Sequence, residues 1–175
     1  MTAITRHVLL ALAAGATFAI TATQTARSAT AGACSLLTDA QVKTLIYRGQ
    51  PTDRPEEMTV GRGGAGSACA YSGGTHQLIL YSGGNSQSEL EADLAPYLGK
   101  GTRQPISGVG DQAYIMFLAP QNEYQRPTAL LVSRTGPHAL GVVLASASKE
   151  STNQSLKSEA VEVAKAAVAK LRSGS

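Results

Sequence analysis

Strand-length runs of apolar and β-branched residues, set apart by tight glycine-containing turns, occupy the middle of this chain and restrict it to hairpin-built folds. The segments SACAYS at 67–72 and THQLILY at 75–81 flank Gly73-Gly74. A two-residue glycine connection supplies the positive φ angles that a tight hairpin demands. Three further runs follow at 112–118, 128–134 (TALLVSR) and 139–145 (ALGVVLA), and Thr135-Gly136-Pro137-His138 joins the last two. Turns this short leave no room for a crossover helix, so the strands pair antiparallel. The tetrad YSGG occurs at Tyr71 and again at Tyr81, and two strand ends followed by glycine turns account for both.

Three helices are predicted around these strands. Thr38 is an N-cap, Gln41 can close a capping box, and Leu37 and Val42 stand at the positions of a hydrophobic staple, which starts a helix over residues 39–46. Ser86 and Glu89 open a second helix at 86–98, with Leu90, Leu94 and Leu98 on one side, Pro96 late in it and Gly99 at its end. The third runs over 152–172 with the stripe Leu156, Ala160, Val163, Ala167, Val168 and Leu171. Two prolines, five glycines and several charges make 47–66 a long surface loop. The expected order is αββαβββα, an α+β domain whose antiparallel sheet of about five strands carries its helices on one face.

The first 31 residues are expected to stand outside that domain. Arg6 and His7 precede a 13-residue apolar run, Val8 to Ile20, and Ala29-Thr30-Ala31 follows. Such a run is short of the roughly 20 residues that span a bilayer and suits a cleaved secretory signal peptide. Cleavage after Ala31 leaves residues 32–175 as one α+β domain, secreted or held in the periplasm or cell envelope and not membrane-spanning. The formal charge of +3 shrinks with the leader, because Arg6 and Arg27 leave with it and no acid does. Thirteen basic residues then face twelve acidic ones with no basic cluster, which removes the footprint that nucleic acid requires. Export also leaves two readings for Cys34: lipid attachment after the small residues Ala31-Gly32-Ala33, or a disulfide with Cys69, the second of the chain's two cysteines.

Motifs that could carry chemistry have structural readings beside them. Gly61-Arg62-Gly63-Gly64-Ala65-Gly66 fits the dinucleotide pattern but precedes a strand instead of opening a helix, so it reads as loop, with Arg62 free to meet an anion. Ser146-Ala147-Ser148-Lys149 fits S-x-x-K without the companion elements that such enzymes need. His76 and His138 have no second His or Cys at ligand spacing, so neither metal nor cofactor is expected. In Gly108-Val109-Gly110-Asp111, the glycines suit a tight turn and Asp111 can hold nearby backbone N–H groups as the next strand begins.

The segments CSLLTDAQV at 34–42, Cys69-Ala70-Tyr71 and GVGDQAY at 108–114, followed by a C-terminal amphipathic helix, together resemble domain-of-unknown-function family 3558, which comprises envelope lipoproteins and secreted proteins. More loosely they are similar to extracellular sensor domains of actinobacterial receptor kinases. The resemblance implies a compact α+β domain outside the cytoplasm with Cys34 bridged to Cys69. It brings no catalytic residues.

The function expected is a non-enzymatic binding or sensing module whose partner is an envelope protein, a peptide or a small ligand. The expected contact surface joins the loops at 47–66 and 119–127, with Arg62, Tyr124 and Arg126 as ligand-binding residues. The alternative is a secreted hydrolase, which requires His76 or His138 within reach of a serine and a carboxylate.

Overall fold

The computed structural model describes residues 32–60, 66–74, 76–83, 88, 90–92, 94, 101–120, 125–148 and 151–174. A single-turn helix, Ala33–Ser35, leads into α1 (Asp39–Leu45). Among the described residues seven strands follow: β1 (Glu56–Val60), β2 (Gly66–Gly73), β3 (His76–Gly83), β4 (Gln104–Pro105), β5 (Gln112–Leu118), β6 (Thr128–Thr135) and β7 (His138–Ser146). Helix α2 (Asn153–Ser173) closes the chain. Of the predicted helix at 86–98, Ser88, Leu90, Glu91, Ala92 and Leu94 are described, and all are helical. The predicted leader, residues 1–31, lies outside the described residues.

All seven strands form one antiparallel sheet in the order β1-β2-β3-β7-β6-β5-β4. Two meanders, β1 to β3 and β4 to β7, are joined side by side where β7 pairs with β3. The sheet therefore has two strands more than the sequence leads one to expect. Strand β1 arises inside the predicted loop at 47–66. Its residues Glu56 to Thr59 are exposed, and it needs no buried alternation because it hangs on β2 as an edge. Strand β4 is two residues long and includes a proline, which an edge strand tolerates. The β2–β3 turn also sits one residue later than expected, since Gly73 still pairs with His76 and Gly74 takes φ +46°.

Side-chain alternation divides the apolar residues between the two faces. On the first face Cys69, Tyr71, Leu78, Leu80, Ile115, Leu131, Val142 and Leu144 meet Val42 and Ile46 from the α1 region and the buried side of α2. Every residue of the predicted α2 stripe is buried there, with Ala164 added to it. The capping box of Thr38 and Gln41 is formed, and Leu37 and Val42 are both buried.

The second face carries its own core, in which Leu90 and Leu94 cover Ala68, Tyr81, Met116, Leu130, Val132 and Val143. Helices thus lie on both faces, not one as the sequence suggests. Gly141 makes this possible: a Cβ there would stand 3.2 Å from Leu94 and 3.4 Å from Leu90. Beside this core the Arg103 guanidinium lies 4.7 Å from the Tyr114 ring centroid and its Nη2 reaches Glu91 Oε2 at 3.0 Å. Burial, then the Glu91 carboxylate, push the Tyr114 hydroxyl well above its usual pKa. No helix among the described residues is long and apolar enough to cross a membrane.

The Cys34–Cys69 disulfide is present and clips the first helical turn to the middle of β2.

Candidate functional site

At one end of the sheet, four strands finish on a row of small and polar side chains. Ser72, Gln77, Ala145 and Thr128 are successive partners across β2, β3, β7 and β6. By alternation they share a face with Ile79, Val143 and Leu130, one step beyond the second core. The row forms part of a groove of about 650 Å³, completed by Gly73, Gly74, His76 and Arg126.

Local bonds place the walls. Thr128 Oγ1 donates to the Arg126 carbonyl at 2.9 Å, and Ser146 N donates to Pro127 O at 3.0 Å, so β7 holds the segment carrying Arg126. On the opposite side Asp53 N donates to Ser72 O at 2.8 Å, and Gly73 is backed closely by the Pro51–Thr52 backbone. Of the two loops expected to form a contact surface, the described residues 51–53 thus back the β2–β3 turn, and Arg126 lines the groove beside it. Arg126 is exposed on the groove wall. Arg62 and Tyr124, the other two residues singled out, lie outside the described residues, as does Lys149 of the S-x-x-K match.

His76 begins β3 with its side chain 11% exposed, and Nε2 stands 3.3 Å from Glu159 Oε2 on α2. Arg48 Nη2 approaches the other carboxylate oxygen at 3.6 Å. Burial lowers the His76 pKa; Glu159 pulls it back up and Arg48 pushes it further down. Tyr47, next to Arg48, is buried and donates its hydroxyl to Tyr71 O at 2.9 Å, and burial raises its pKa to about 12.

The hydrolase alternative requires a histidine, a serine and a carboxylate in sequence. His76 has its carboxylate, but its cross-strand partner Ser146 is buried, with its hydroxyl 2.6 Å from Ser151 Oγ and accepting from Ser148 N. His138 pairs with Thr135 at the other end of β7. The two histidines are therefore separated by the length of that strand.

Asp111 stands at a different corner. Gly108 and Gly110 take φ +76° and +60° in the turn before β5. Asp111 Oδ2 accepts from Gly136 N at 2.7 Å, and Oδ1 lies 3.4 Å from Arg172 Nη2. The backbone group it holds belongs to the β6–β7 turn, not to its own turn.

The contributions of Gln77, Thr128 and Ser72 were missed at the sequence level. Their only local signal is polarity at strand ends; their alignment depends on the β3–β7 pairing. Comparisons with family models, curated proteins and solved structures each return no match.

Proposed function

We propose that this chain is an exported, non-enzymatic binding or sensing module of the cell envelope, and that its ligand sits in the groove at the β2–β3 turn. The observation that carries this reading is the row Ser72, Gln77, Ala145 and Thr128, which leaves a polar recess beside Arg126 at the end of an otherwise well-packed sheet. Ligand sites commonly combine a preformed concavity with a few directed polar groups. The disulfide is in keeping with an oxidising compartment, and the family 3558 resemblance of the sequence agrees with an envelope setting.

A capture experiment tests it. The purified protein is immobilised and challenged with envelope extract, in parallel with R126A, Q77A and the distant exposed variant K170A. The expected result is a bound component retained by wild type and K170A and lost from R126A and Q77A. Equal retention by the wild type and all three variants would exclude the groove as the seat of binding.

A further inference from the structure

We infer that the groove receives its ligand through an oxyanion, a carboxylate or phosphate group, paired with the Arg126 guanidinium. This rests on the groove being the binding site proposed above and adds the chemical class of what enters it. Among the residues lining the groove, Arg126 alone carries a fixed charge. Its side chain has no carboxylate partner among the described residues.

The surroundings favour that charge being used. Glu159, the acid that reaches the groove residue His76, already faces His76 on one oxygen and Arg48 on the other. It lies on the α2 side and makes no ion pair with Arg126. A guanidinium offers paired N–H donors in the spacing of carboxylate and phosphate oxygens, and such charge-assisted pairs are stronger than neutral hydrogen bonds. Around Arg126 stand groups that suit the rest of a small polar molecule: the exposed Gln77 amide and the Ser72 and Thr128 hydroxyls. The Arg126 backbone is anchored through Thr128 and, by way of Pro127, through β7, so the base of the side chain is positioned before any ligand arrives.

The test is an NMR titration of the purified protein, following backbone amides with three probes: glutarate, inorganic phosphate and the neutral isostere glutaramide. Saturable shifts at Gly73, Gly74, Gln77 and Thr128 are expected with an anion and not with glutaramide. R126A should weaken the anion response about tenfold or more, with R126K between the two. Tighter response to phosphate identifies a phosphorylated ligand, and tighter response to glutarate a carboxylate one. If glutaramide moves the same amides as strongly, the oxyanion assignment fails while the groove stands as a binding site. Anion shifts that persist unchanged in R126A, or that leave the groove amides unmoved, also overturn it. Equal retention in the capture experiment would remove the groove itself.

Discussion

Gly110 shows how much a single backbone position can depend on distant neighbours. Its φ of +60° suits glycine, and a Cβ there would run into the Arg134 carbonyl and lie 2.7 Å from Thr135 Oγ1. Neither contact is the far end of a flexible side chain, so G110A should lower stability by about 2 kcal/mol or more, read as a shift of the urea midpoint at constant slope. The turn itself was legible in the glycines around Val109; the reason for its tightness was not, because Arg134 is distant in sequence. Asp111 teaches the same lesson, since the N–H it accepts from lies in the β6–β7 turn. His76 adds a pH dependence. Its folded pKa is lowered by burial, so the unfolded chain binds the proton more readily, and this residue's contribution to stability declines as pH falls below its ordinary value of 6.5. H76N should flatten that part of the stability profile, measured by urea unfolding at stepped pH, and an unchanged slope would assign the dependence to other groups.

Among the elements, α1 and α2 have local signals and formed as the sequence indicates. Thr38 and Gln41 close their capping box, and T38A should cost about 1 kcal/mol by thermal or urea unfolding, with little change in the second core. Helix α2 follows its stripe for the same reason: its 3.6-residue period is a property of the helix alone. Strands β1 and β4 lacked any comparable signal, because edge strands of exposed or proline-containing residues are defined by the strand they pair with. The disulfide acts between elements. In the chain-entropy model, closing a loop of this length stabilises the fold by about 4 kcal/mol, so the double variant C34A/C69A should lose that order of stability. Reduction of the wild type should reproduce the loss, and unfolding with and without reductant checks it.

For the whole molecule, the central fact is a sheet buried on both faces by different segments. Leu94 is fully buried in one core and Leu156 nearly so in the other. L94A and L156A should each cost about 2–5 kcal/mol, and the double variant should cost close to their sum, because the sheet separates the sites. Strong non-additivity in urea unfolding would mean that the two cores are coupled through the β-strands.

The sequence by itself determined the hairpins to within a residue, the starts of α1 and α2, and the α2 stripe, because caps, glycine turns and side-chain periodicity act within a few residues. It also singled out Arg126 as a loop cation. The tertiary structure alone decided that β7 returns to pair with β3, that Leu90 and Leu94 cover a second face, and that Ser72, Gln77, Ala145 and Thr128 align beside Arg126. Those outcomes rest on pairings between residues far apart in the chain. Local conformational preference is blind to them, and they are selected only by how the two meanders bury their apolar faces together.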